Sequence, residues 1–572
     1  RFIKSKFTWQ SCAFTMHSYI RPNQHAIVQL PSDQIRIIKP VPNSIVSLGK
    51  YGNFAANQII GRPFYLTFEI QDTPEPDGYQ LRVVSATELH AETLIEEAEA
   101  DGEGDEGESG AGTPMRTNQK IVDDASTQKL TLEEIEELKK EAGGAGKEIV
   151  AKLLESHSAI DQKTAFSLAK YTLRKRKKYI KRFTVLPLDV SALANYLLSE
   201  KDTGKGMELR DEHIGLLGCL GNVHHGGQST TEIIPDVKPN GRYFVVDETG
   251  GLIVAAMAER MGILYPHDND EDEDSAAEES SATGNPAPRG FTPIRRRRTR
   301  PMSASGNTLT VIHAQAQPNL SLLKYFGYDI NLPDESHPLH THLKSVSWLQ
   351  LKNPSHDPIL SNEPTALPAA ELAEMKPSKR TGYYFKRNRW EKVKSVTDEA
   401  RAGGFDGLIV GTLLQPESVL QHAIPLLSGS AAVSIYSPYV EPLVKLMDFY
   451  STARRTAFIT RKRELESQKN ADGEADLSPL KEEFEVDPTQ LLPPTLHRSR
   501  VRAWQVLPGR THPLMTSRGG AEGYLFHAVR VIPTAEHIQA AGTFRKKRKL
   551  ETTSTSTPTS DKDIDKDVVM LS

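Results

Sequence analysis

At 572 residues the chain is long enough for two or three domains, and 38% hydrophobic with 25% charged residues means that real cores alternate with long polar stretches. No apolar run reaches the ~18 residues of a membrane-spanning helix. Two cysteines, Cys12 and Cys219, can build neither a four-thiolate zinc site nor a disulfide scaffold, which fits a reducing compartment.

The net charge of −4 conceals segregation, with acidic runs in linkers and basic runs in short blocks. Residues 1–23 have no long apolar core and read as a leader or extension rather than a signal peptide. Residues 24–90 alternate with period 2 (Ile35 and Ile37; Phe64, Leu66, Phe68 and Ile70), punctuated by Pro and Gly, as in a small β-barrel or sandwich. Residues 91–117 are acidic and Gly-rich and read as a disordered insertion.

Residues 118–183 read as three helices joining the β-domain to a larger α/β-domain. Thr131 and Glu134 are spaced as a capping box. The third helix, drawn to Phe183, ends in Arg174, Lys175, Arg176, Lys177, Lys178, Tyr179, Ile180, Lys181 and Arg182, seven cations in nine residues. No carboxylate alternates with them, so i,i+4 pairing cannot relieve the repulsion. A solvated face is the plainer explanation of most charge runs, but an unpaired block of this density points to a polyanion bound through its phosphates.

Residues 184–265 open the larger domain. VLPLDVSALANYLL reads as strand, turn and helix; the adjacent His224 and His225 read as loop rather than as a ligand pair. In GRYFVVDETGGLIVAAMAERMG (241–262), an apolar β-branched run meets a glycine turn and then apolar residues at helical spacing. That is the entry unit of a doubly wound α/β domain, whose turn can cradle a nucleotide on free backbone N–H groups.

Residues 266–400 read as a largely disordered insertion, with short apolar pieces at 308–313 and 320–328 as partial order. Regular α/β structure resumes over 401–540, interrupted at 464–494 by an acidic, Pro-bounded insertion, with 501–507 and 524–532 as closing strands. Residues 541–572 form a basic and polar tail whose RKKRK is either a nuclear-localisation block or simply solvated.

Several stretches together resemble the non-catalytic subunit of the eukaryotic tRNA (adenine-N1)-methyltransferase. They are SLGKYGNFAANQIIGRPFYLTFEI, KIVDDASTQKLT, KEIVAKLLE with LRKRKKY, VVDETGGLIVAAMAERMG, FDGLIVGTLLQPESVLQHAIPLL and WQVLPGRTHPLMTSRGGAEGYL. The resemblance implies an α+β multidomain chain: an N-terminal β-barrel-like domain, a helical connector and a C-terminal, degenerate Rossmann-like methyltransferase fold. It also implies tRNA binding and pairing with a catalytic subunit of the same fold as a heterotetramer of two of each; a nuclear location is the expectation that goes with RKKRK.

In the catalytic relatives an acidic residue and a loop of spaced glycines hold S-adenosylmethionine. Here Glu248, Thr249, Gly250 and Gly251 stand as the remnant of that loop. Those relatives also carry a carboxylate after a later strand, where this chain has Gly411, Thr412 and Leu413. The expectation is therefore no catalytic residue and no cofactor bound by this chain, with S-adenosylmethionine in the partner subunit. Residues 174–178, 181 and 182, with Arg510 and Arg518 as weaker candidates, are the expected tRNA contacts. Two other readings stay open: an active methyltransferase with an atypical cofactor loop, and a stand-alone RNA-binding, translation-related adaptor.

Overall fold

The structure is a computed structural model. It describes residues 19–31, 34–75, 78–89, 146–157, 179–199, 203–225, 241–265, 307–331, 337–468, 476–499, 504–507, 510–513 and 523–532, with scattered positions at 130–137, 168–176 and 501.

Alternation along the N-terminal strands becomes a two-faced antiparallel sheet. β1 (Ala26–Gln29), β2 (Ile35–Ile38), β5 (Thr67–Glu75), β6 (Gly78–Val84) and β7 (Arg182–Pro187) pair in the order β2-β1-β7-β5-β6, and β3 (Ile45–Ser47) with β4 (Asn53–Ala55) forms a separate hairpin. Ala26, Val28, Phe54, Phe68, Ile70 and Phe183 fill one core, with the Phe183 ring stacked between Phe54 and Phe68. Ile27, on the other face of β1, belongs instead to the core of the α/β domain. This sheet therefore packs on both sides. The barrel-like expectation reduces to an open five-stranded sheet among the described residues, because no pairing joins β2 to β6.

The connector holds the expected capping box: Thr131 N–H donates to Glu134 at 2.8 Å and Glu134 N–H to the Thr131 hydroxyl at 3.3 Å. Helix α1 (Gly146–Glu155) buries Ile149, Val150 and Leu153. The third helix is shorter than its sequence indicates, since Arg182 and Phe183 already lie in β7. β7 sits at the centre of the N-terminal sheet, bonded to β1 and β5, so residues 184–187 belong there and not to the larger domain.

The larger domain is organised by β8 (Arg242–Asp247). Tyr243, Phe244, Val245 and Val246 are all buried, as a strand covered on both faces must be. Tyr243 and Val245 feed one core, Phe244 and Val246 the other. Around β8 lie β9 (Thr308–His313), β10 (Leu343–Ser347), β11 (Phe405–Gly411), β12 (Leu427–Ser437), β13 (Thr495–Arg498) and β16 (Tyr524–Val529). Their order is β10-β9-β8-β11-β12-β16-β13; the first five are parallel and β16 runs antiparallel to both neighbours. β14 (Trp504–Leu507) and β15 (Arg510–Pro513) make a separate hairpin, so the expected closing strand at 501–507 is outside this sheet.

Helices α2 (Val190–Ser199), α3 (Asp211–Leu220) and α4 (Leu252–Met261) pack beside the first core, and α6 (Pro416–Ala423) and α7 (Glu441–Phe449) beside the second. The expectation of a largely disordered stretch over 266–400 fails for its second half. β9 lies inside the sheet and β10 at its edge, and α5 (Pro377–Ala402) is a 26-residue helix. Proline richness at 353–376 obscured this: it leaves a connecting segment that packs along α5 through Tyr383, whose hydroxyl donates to Thr365 O at 3.1 Å, and Trp390, whose indole donates to Leu360 O at 3.4 Å.

Arg182 ties the N-terminal sheet together. Its guanidinium is buried and reaches Glu69 at 3.1 Å and Glu88 at 2.9 Å. Removing one partner of such a network strands the other charges, so Arg182→Ala is expected to cost about 2–3 kcal/mol in a urea titration.

Candidate functional site

In a doubly wound sheet, ligands sit outside the carboxyl ends of the strands where the order reverses. Here that point lies between β8 and β11, and its lip is Asp247, Glu248, Thr249, Gly250 and Gly251 on one side with Thr412 and Leu413 on the other. The predicted remnant is therefore in the position a cofactor cradle would occupy. What fills it is the chain itself.

Asp247 ends β8 as a buried carboxylate. One carboxylate oxygen accepts from Thr249 N–H at 2.7 Å and from the Thr249 hydroxyl at 2.6 Å; the other accepts from Val254 N–H at 3.0 Å. The Thr249 oxygen in turn accepts from Ile253 N–H at 3.1 Å. Burial pushes the Asp247 carboxyl up from the usual range, and the donors from Thr249, Val254 and Gly251 pull it back. The Ile253 and Val254 N–H groups at the start of α4, which could face an anion, are thus taken by two side chains of the same turn.

Glu248 is also engaged. Its N–H donates to Gly411 O at 2.9 Å, and its carboxylate accepts Leu413 N–H at 2.8 Å. The acid that marks the cofactor position by sequence instead bridges the two strand ends. Thr412 turns inward and accepts Leu414 N–H at 3.0 Å.

Above the turn lies the 3-10 helix Ser321–Phe326 with Leu320 before it. Leu322 N–H donates to Gly250 O at 3.0 Å. Gly251 has φ +94, and a Cβ there would stand 3.2 Å from Leu320 Cα and 3.4 Å from the Leu323 side chain. Leu320, Leu322 and Leu323 are buried in the first core. A glycine turn open to a cofactor needs free space over its backbone; this one is covered by leucines. At the end of β9, where dinucleotide-binding folds place an acid for the ribose, stands His313, its Nδ1 2.7 Å from Gln315 O. The residues at the switch point do not fit S-adenosylmethionine. His313 is a further departure, one that no sequence motif marks.

The predicted basic block is divided by the structure. Arg174 is exposed, Lys175, Arg176 and Lys181 are half-buried, and the Lys175 ammonium lies 4.9 Å from the centre of the Tyr171 ring. Arg182 leaves the candidate set, since Glu69 and Glu88 hold it inside the sheet. Lys177, Lys178 and Arg518 lie outside the described residues, as does RKKRK; Arg510 opens β15. Among the described residues, no group of three or more His, Cys, Asp or Glu side chains is placed to hold a metal ion.

A doubly wound α/β domain with a sealed cofactor crevice, joined to a β-domain and a basic connector, defines a class of protein that keeps an enzyme's scaffold without its site. The chain belongs to the Gcd10p family, which matches residues 19–376. It is 60% identical to the tRNA (adenine(58)-N(1))-methyltransferase non-catalytic subunit of Aspergillus oryzae, over 97% of this chain and 100% of that one. The protein of the same description from Schizosaccharomyces pombe is 30% identical over 94% of this chain and 97% of its own. Among solved structures, a SAM-dependent O-methyltransferase from Thermotoga maritima aligns with 91% of this chain and 98% of its own at a TM-score of 0.37 and 7% identity.

Two predictions concern this turn and its helix. Gly251→Ala forces a side chain into a left-handed conformation against Leu320, and is expected to lower stability by about 2–3 kcal/mol in chemical denaturation. Glu259 on α4 is the second. Burial first, and then the Asp189 carboxylate, push its pKa up from 4.5 to about 7. The fold therefore favours the neutral acid: the stability it contributes is complete below pH 4.5 and is lost as pH rises through 7. Glu259→Gln is expected to leave stability unchanged at pH 4 and raise it by roughly 2–3 kcal/mol at pH 8, read from urea midpoints at the two pH values.

Proposed function

We propose that this chain is the non-catalytic, tRNA-binding subunit of a tRNA (adenine-N1)-methyltransferase, working beside a catalytic subunit of related fold. The observation that carries the reading is the closed switch point. The Thr249, Ile253 and Val254 N–H groups donate to Asp247 and Thr249, the space over Gly251 is taken by Leu320 and Leu323, and Glu248 accepts Leu413 N–H. Membership of the Gcd10p family and the description of its relatives as non-catalytic subunits support the same reading.

On this reading the partner binds S-adenosylmethionine and the target adenine. This chain supplies position: it holds the tRNA so that N1 of one adenine meets the methyl group, an effect of orientation rather than of acid–base chemistry. Arg174, Lys175, Arg176 and Lys181 from the connector, with Lys177 and Lys178 between them, are the proposed phosphate contacts, and Arg510 and Arg518 are weaker ones. An assembly of two subunits of each kind and a nuclear location belong to the same proposal.

The test is co-expression with the catalytic partner. Calorimetry on the chain alone is expected to give no heat with S-adenosylmethionine, and N1-methyladenosine in tRNA is expected only when both subunits are present. Micromolar cofactor binding by the isolated chain, or methyl transfer without the partner, would overturn the proposal in favour of an active enzyme.

A further inference from the structure

Helix α5 begins at Pro377 and stops at Gly403, a start and an end that its sequence marks clearly. Its last turns are anchored. Thr397 and Ala400 are buried, and Glu399 pairs with Arg242 at 3.3 Å and, more closely, with Lys344. The middle of the helix has a different character. Tyr383 and Trp390 face the chain's own segment at 360–367, while Lys379, Phe385, Lys386, Arg389, Lys392 and Lys394 are exposed.

Two features of that outer face stand out. Phe385 is 70% exposed and its neighbour Tyr384 46%, on a helix whose inner side already has aromatic anchors. Lys386, Arg389 and Lys392 follow at steps of three residues, about 4.5 Å along the axis each. None of these three cations forms an ion pair among the described residues; the helix's Glu391 is held by Arg387 at 2.8 Å. Unpaired positive charge on successive turns is costly unless a polyanion relieves it. A bare aromatic ring among such cations is the arrangement that lets a base stack while its phosphates are neutralised.

We propose that the outer face of α5 is an RNA-binding surface, with Phe385 stacking on an unpaired base and Lys386, Arg389 and Lys392 contacting the flanking phosphates. The inference rests on the RNA-binding reading above and adds a site separate from the 174–182 block. The helix has no continuous apolar stripe on this face, only Tyr384 and Phe385, so a lipid surface is the poorer fit.

The test uses the full chain co-purified with its methyltransferase partner, a labelled tRNA transcript, and fluorescence anisotropy over a range of KCl concentrations. K386A/R389A/K392A is expected to reduce the magnitude of the slope of log affinity against log salt by about 2, as loss of three phosphate contacts on an unpaired strand requires. F385A is expected to weaken binding roughly tenfold while leaving that slope unchanged. Circular dichroism checks that both variants keep their helix content, and R174A/R176A serves as the comparison.

Wild-type affinity and slope in both α5 variants, with loss only in R174A/R176A, would overturn this proposal and leave the RNA-binding function standing. Failure of the wild-type complex to bind tRNA at all would overturn both. Binding of the wild type to phosphatidylserine vesicles that is lost in the triple variant, with tRNA affinity unchanged, would assign the face to a membrane and overturn the proposal.

Discussion

A carboxylate buried at the end of a central strand must find donors, because an unpaired charge in an apolar interior costs several kcal/mol. Asp247 finds them all within seven residues, at Thr249, Gly251 and Val254. This one constraint sets the conformation of the turn. Thr249 is drawn back toward the strand, Gly250 and Gly251 take φ +75 and +94, and α4 starts with its Ile253 and Val254 N–H groups satisfied. Eight of the ten α4 residues can then lie in the core, each large apolar side chain contributing about 1.5–3 kcal/mol by leaving water.

The same arrangement explains why the neighbouring groups lie where they do. Leu322 N–H donates to Gly250 O at 3.0 Å, so the chain itself meets the glycines from above. Leu320, Leu322 and Leu323 pack there and extend the first core over the ends of the strands. Glu248, exposed one residue beyond the capped aspartate, spans to Leu413 N–H and ties β8 to β11. A crevice that elsewhere divides a sheet for a ligand is here part of the packing. Ile27 on β1 reaches the same core from the N-terminal sheet and packs the two sheets against each other.

How much of this was legible depends on whether the signal was local. The strand, turn and helix at 241–262 could be read because alternation, glycine and helical spacing all lie within a few residues, and so could the Thr131–Glu134 capping box. Loss of the cofactor loop was legible as a missing glycine. Its replacement by leucines from a 3-10 helix some seventy residues later was not, because that contact is tertiary. Arg182 looked like one more cation in a run; only the pairing of β7 with β5 brings Glu69 beside it and removes it from the surface. Helix α5 was missed for another reason. Its buried Thr397 and Ala400 and its half-buried Trp390 and Tyr383 recur at helical spacing, but the proline-rich segment before it and its many cations resembled a linker.

Charge divides the molecule by role. At the switch point Asp247 is buried and bonded by Thr249 and Val254, and one oxygen of the exposed Glu248 accepts Leu413 N–H. The cations of Arg174 and of α5 lie far along the chain from that point, on helices and facing solvent. A catalytic site needs the opposite distribution, with unsatisfied acids or bases inside a cleft and a neutral, shaped wall around them. Here the switch-point acids are engaged with the chain's own N–H groups, while the cations of α5 stand at the surface. The net charge of −4 hides this because the acidic linkers offset the basic helices in the sum, though the two occupy separate stretches of the sequence.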